Sequence, residues 1–217
     1  MHPETQETTV RPQVPVHFLF DFGSPNAYMC HRVIPEIEAR TGAVFTYVPM
    51  LLGGLFKLSN NRSPAEAFAD IANKRAYDKL EVRRFVAKHG LSRYRPNPFW
   101  PVNTLQTMRG AVAAQKLGFF EPYVEAVYAA MWEQGLDMAD REVIVRTLDA
   151  AGLDGLAIYE GTQDAEVKAE LMANTQRAYE RGAFGSPTFF VGDEIFFGKD
   201  RLREVEEEIV RAQAAAA

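Results

Sequence analysis

The chain has 217 residues, 47% of them hydrophobic and 24% charged, enough apolar material for a core that needs neither disulfides nor metals. With 24 Lys and Arg against 29 Asp and Glu the net charge is −5, and no basic block marks a nucleic-acid partner. A single cysteine, Cys30, excludes an internal disulfide and a thiolate-only metal site, and no apolar run reaches the length of a membrane span.

Residues 1–14 form a polar, proline-bearing tail without a signal-peptide core, which predicts disorder there and a cytoplasmic protein. Val16 to Phe22 reads as a strand with apolar residues on both faces, stopped by Gly23-Ser24-Pro25. From Ala27 to Arg40, Tyr28, Val33, Ile34 and Ile37 recur at helical spacing, and Thr41-Gly42 ends the run. Val44 to Val48, closed by Pro49, is a second strand, so the first fifty or so residues predict a parallel β–α–β unit.

The middle of the chain predicts only helices: Pro64 to His89, Leu105 to Leu117, Tyr123 to Gln134, Arg141 to Ala151 and Asp164 to Arg181. Gly90 and Gly118 stand where C-terminal caps belong. Strands return in Pro187 to Val191 and Glu194 to Phe197, a hairpin about Gly192-Asp193. A last helix carries Leu202, Val205 and Ile209 on one face, with an alanine tail after Arg211 expected to fray. The order β-α-β, helices, β-β-α is that of an α/β thioredoxin-like domain (15–58 and 182–213) holding an all-helical insertion (59–181).

In such a fold the turn after the first strand is reactive, because the N–H groups and dipole of the helix favour an anion there. A redox enzyme places Cys-x-x-Cys at this turn. Ser24 and Ala27 occupy those positions, which excludes thiol–disulfide exchange. Ser24 either donates to a thiolate carried by a ligand or simply caps the helix. Gly185-Ser186-Pro187-Thr188 stands where the fold carries a cis proline, beside a backbone that can pair with an extended peptide. At Phe197-Gly198-Lys199-Asp200-Arg201, helix N–H groups suit a ligand carboxylate and Asp200 a ligand ammonium, unless Asp200 is only a cap. Cys30 reads as a small core residue, the four histidines lack metal-ligand spacing, and Phe99-Trp100-Pro101 reads as core or pocket wall.

An ordered set of segments resembles the 2-hydroxychromene-2-carboxylate isomerases, relatives of kappa-class glutathione transferases in the DsbA-like group. It comprises Phe20 to Pro25, Leu52 to Lys57, Asn61 to Ala65, Lys74 to Tyr77, Pro101 to Leu105, Phe184 to Thr188 and Phe197 to Arg201. The resemblance implies glutathione as cofactor and Ser24 as the residue that favours its thiolate, with Pro25 and Asn26 beside it. It implies that Ser186, before Pro187, pairs with the cysteinyl part, and that Phe197, Gly198, Lys199 and Asp200 hold the γ-glutamyl end. Asn61 falls near the ligand, and Lys57, Arg62, Asn103 and Thr104 fall where an aromatic carboxylate substrate is contacted. A homodimer is implied as well. Departures are a longer interval between Asn61 and Lys74, Asn26-Ala27 in the turn, and a polar Ser186. A kappa-like transferase or peroxidase, or a non-catalytic binding protein, is the competing reading.

Overall fold

The computed structural model describes residues 12–216. Residues 1–11 of the expected tail lie outside the described residues, and 12–15 have no regular structure. Four strands, β1 (Val16–Phe20), β2 (Phe45–Pro49), β3 (Thr188–Val191) and β4 (Glu194–Phe197), form one sheet in the order β2-β1-β3-β4. β1 runs parallel to β2 and antiparallel to β3, so Phe18 lies between Tyr47 and Phe189. A central strand is covered on both faces, which is why it alternates so little: Phe18, Leu19 and Phe20 are all buried.

Helix α1 (Pro25–Thr41) buries Met29, Cys30, Val33, Ile34 and Ile37 and ends at Gly42, whose φ of 71° only glycine adopts readily. Between β2 and β3 come α2 (Leu52–Leu58), α3 (Pro64–Ala67), α4 (Ala72–Lys88), α5 (Leu105–Leu117), α6 (Phe120–Trp132), α7 (Arg141–Ala150), α8 (Gly155–Gly161) and α9 (Ala165–Glu180). Met108 and Val112 of α5 and Val127, Tyr128 and Met131 of α6 join the sheet and α1 in one continuous apolar core. Burial of each such side chain contributes about 1.5–3 kcal/mol. A polar seam crosses the same junction: Arg32 of α1 bridges Glu125 (2.7 Å) and Glu133 (2.6 Å). His31 touches the Tyr47 hydroxyl (2.8 Å) and Glu125 (3.2 Å).

Several expectations need correction. The first strand ends at Phe20, because Asp21 turns its backbone into the following loop. The helix expected over Pro64 to His89 is two, broken over residues 68–71, where no glycine or proline marks the break. Helices α2 and α8 were not foreseen, since Gly53-Gly54 and two more glycines weaken their local signal. The alanine tail does not fray after Arg211: α10 (Leu202–Ala215) continues, and buried Gln213 donates to the Thr41 carbonyl (3.2 Å) at the end of α1.

Candidate active site

The segment between β1 and α1 has every backbone group of residues 21–23 paired. The Asp21 N–H donates to Ser186 Oγ (3.2 Å), and its carbonyl accepts from the Ser24 N–H (3.0 Å). The Phe22 N–H meets the Met108 sulfur (3.4 Å), and its carbonyl accepts from Trp132 Nε1 (2.8 Å). The Gly23 N–H donates to the Asp21 carboxylate (2.8 Å), and its carbonyl accepts from Trp100 Nε1 (2.9 Å). Both tryptophans of the chain therefore hold this turn. A Cβ at Gly23 would stand 3.2 Å from Thr104 Cγ2, so the close approach of that loop favours glycine.

Ser24 caps α1: its Oγ accepts from the Ala27 N–H (3.2 Å) in extended backbone geometry. Its hydroxyl proton is directed to the Ser186 carbonyl (3.0 Å). Pro25 at the first helical position has no N–H to satisfy. The Asn26 N–H has no partner among the described residues, which leaves one donor free at the positive end of a 17-residue helix. The Ser186–Pro187 peptide is cis.

Asp21 lies under the turn, fully buried, its carboxylate accepting from Gly23 and Leu52 (2.8 Å each) and from the Thr104 hydroxyl. Burial pushes its pKa up, while these three donors pull it down. The same contact starts α2, whose first N–H groups are taken by Asp21 and by the Thr175 hydroxyl (2.9 Å) instead of a local cap. Cys30 is buried in α1 and burial pushes its thiol well up, so it is a core residue as expected.

The remaining expected residues fall into three places. Asn60, at φ 52°, reverses the chain after α2, and Asn61 then donates to the Phe184 carbonyl (2.9 Å). Phe197 packs on Phe184 (4.5 Å between centroids), and the Gly198 N–H donates to the Pro187 carbonyl (3.0 Å). Asn61, Ser186, Pro187, Phe197 and Gly198 thus form one cluster continuous with Ser24. Lys57 and Arg62 are exposed, and the Arg62 N–H donates to the Asn61 side-chain oxygen (2.8 Å). Asn103 is exposed and its side-chain oxygen accepts from the Leu105 N–H (3.1 Å) just ahead of α5, whereas Thr104, the N-cap position, is buried on Asp21.

Lys199 and Asp200 stand apart. Lys199 is buried, its ammonium 2.5 Å from the Asp200 carboxylate and 5.1 Å from the Phe85 ring centre. They line a groove of about 450 Å³ with Val33, Ile37, Arg84 and Phe85, whose walls include neither Ser24 nor Ser186. Both residues act electrostatically on Cys30, six residues along α1 from Ser24. The sequence does not single out Asp21, Met108 and Trp132 as site residues, and it marks Trp100 only as core or pocket wall: their partners lie far off in the chain.

This fold and turn define a thioredoxin-like protein with serine where redox members carry cysteine. A DsbA-like thioredoxin domain matches residues 15–210. The chain is 30% identical to a 2-hydroxychromene-2-carboxylate isomerase of Sphingobium xenophagum, over 88% of this chain and 95% of that protein. It is 24% identical to glutathione S-transferase kappa 1 of Caenorhabditis elegans, over 93% and 94% of the two chains. A solved 2-hydroxychromene-2-carboxylate isomerase superposes with a TM-score of 0.77 at 25% identity, covering 91% of this chain and 95% of that one. The chain belongs to the DsbA-like thioredoxin family, in the group of the 2-hydroxychromene-2-carboxylate isomerases.

Proposed function

We propose that the chain is a glutathione-dependent isomerase of aromatic catabolism, a cytoplasmic homodimer interconverting 2-hydroxychromene-2-carboxylate, or a close aromatic analogue, and trans-o-hydroxybenzylidenepyruvate. The observation that carries this reading is the turn itself. The Ser24 hydroxyl and the free Asn26 N–H both stand at the N-terminus of α1, where no side chain of the protein supplies a thiol. That is a site for an anion brought by a ligand. The relatives named as isomerases and as a kappa transferase support the same choice.

The residues present fit glutathione. The Ser186 carbonyl accepts only the Ser24 hydroxyl among the described residues, so a ligand N–H can take that acceptor while the hydroxyl turns toward sulfur. No hydrogen bond is lost in the exchange. Lys199 and Asp200 act electrostatically on Cys30, whose place on α1 is about 9 Å from Ser24 at 1.5 Å per residue, within the roughly 10 Å that a tripeptide spans. In this reading they hold the γ-glutamyl end, together with Phe197 and Gly198, which directly precede them in the chain. Pro25, Asn26, Asn61, Ser186 and Pro187 complete the cofactor contacts.

Glutathione bound there would supply a thiolate nucleophile for the reversible addition and elimination that lets a substrate double bond rotate. Ser24 and the end of α1 stabilise that charge without being consumed. Arg62 or Lys57, both exposed, holds the substrate carboxylate in this reading, for which the guanidinium fork is suited. In this division of labour 15–58 and 182–213, joined by Asn61, bind the cofactor, and 59–181, joined by Lys57, shapes the aromatic side.

The test is the isomerisation assayed with protein freed of glutathione, then with glutathione restored. Activity that appears only on restoration supports the reading. A rate independent of glutathione overturns it. Conjugation of other electrophiles without isomerisation favours the kappa-like alternative.

A further inference from the structure

Trp100 is an exposed aromatic bonded directly to the turn, and it is anchored at both ends. Buried Asn97 fixes the loop that carries it: its amide donates to the carbonyls of Met131 (2.8 Å) and Leu136 (2.9 Å), and its side-chain oxygen accepts from the Phe99 N–H (2.8 Å). The Trp100 N–H donates to the Asn97 carbonyl (3.2 Å). At the far end, Nε1 donates to the Gly23 carbonyl, one peptide unit from Ser24. The ring is thus held at backbone and tip, yet it takes no part in the apolar core and remains 38% exposed. Trp132 makes the equivalent bond to Phe22 from a fully packed position, so pinning the turn does not require an exposed indole.

We infer that Trp100 is a specificity-determining residue: its indole face is the platform on which the planar aromatic half of the substrate lies beside Ser24. This rests on the isomerase reading above. Aromatic side chains prefer offset or edge contacts with flat ligands, and a ring already fixed loses little freedom on binding. The bond to Gly23 makes the platform part of the turn, so the cofactor sulfur and the aromatic ring are registered against one another. Phe99, its neighbour, lines a separate groove with Leu136 and Val143 and is not part of the platform.

The experiment combines two substitutions with quenching of the unaltered protein. Trp100→Ala is expected to raise the KM for the aromatic substrate about tenfold, the worth of a lost aromatic contact with its buried area; the loss of its bond to Gly23 affects the KM for glutathione equally in Trp100→Ala and Trp100→Phe, so the difference between the two variants reports the platform. Trp100→Phe keeps a ring without the N–H and is expected to recover most of the aromatic KM. In the wild-type protein, iodide reaches exposed Trp100 but not buried Trp132. Trans-cinnamate, a non-reactive aromatic acid, is expected to protect that fluorescence in the glutathione-loaded protein, whereas glutathione alone is not. Unchanged aromatic KM values in both variants, or no protection while glutathione still binds, would overturn the platform and leave the isomerase reading standing. If glutathione does not bind at all, both fall together.

Discussion

Replacing Ser24 separates two roles that the structure assigns to one oxygen. Ser24→Ala removes the cap on Ala27 and the bond to the Ser186 carbonyl. A lost serine cap costs about 1 kcal/mol and a neutral hydrogen bond about as much, together about 1–2 kcal/mol. In a chain of this length that lowers Tm by about 2–8 °C. Ser24→Gly is milder, because glycine at a cap costs only a few tenths of a kcal/mol relative to serine. Both variants lose the same donor to a charged sulfur, about 1.5–3 kcal/mol, which raises the pKa of the bound glutathione thiol by about one to two at 1.36 kcal/mol each. The assay is a pH titration of thiolate ultraviolet absorbance in the complex, run beside thermal melts. Equal rises in thiol pKa for Ala and Gly, with unequal losses of Tm, are expected. If both melts fall while the thiol pKa stays at its wild-type value, Ser24 is a helix cap and no more.

Asp21→Ala leaves the half-buried N–H groups of Gly23 and Leu52 without their acceptor, an expected loss of about 1–3 kcal/mol in denaturant unfolding; a loss under about 0.5 kcal/mol would show that water replaces the carboxylate. Gly110→Ala would put a methyl carbon 2.1 Å from the Tyr123 hydroxyl, which donates to the Thr107 carbonyl. An overpacking cost of about 1–3 kcal/mol is expected, and adding Tyr123→Phe should recover part of it; strictly additive effects would refute the clash. Burial holds the His31 pKa below its ordinary value in the folded chain, so on acidification the unfolded chain takes the proton first. Stability is therefore expected to fall as pH drops through about 6.5, less steeply in His31→Gln; parallel Tm–pH slopes would contradict this. His17 and His89 are lowered in the same sense, so the slope should lessen without vanishing.

Much of the fold was legible because it is written in local chemistry. Pro25 behind a serine cap, the left-handed glycines at 42 and 118 and the Gly192-Asp193 turn each act within a few residues, and those elements fell where expected. Helix α2 was hidden because its start is fixed by Asp21 and Thr175, from 31 and 124 residues away. The site divides the same way. Ser24 and Ser186 could be placed from their turns, but the clamp on residues 21–23 comes from side chains at 100, 108 and 132, which only the tertiary structure brings together. Lys199 illustrates the limit most plainly: its place at the start of the last helix was readable, whereas its burial against Phe85 of α4 was not.

The most direct test of the account is a calorimetric titration of the full chain with glutathione at neutral pH, repeated in buffers of different ionisation enthalpy. Saturable binding accompanied by release of a proton, with the release diminished in Ser24→Ala, is the expected result, since the site is argued to take the tripeptide as its thiolate. No saturable heat at millimolar glutathione, or binding without proton release in wild type and variant alike, would contradict the claim that Ser24 and the end of α1 hold that charge.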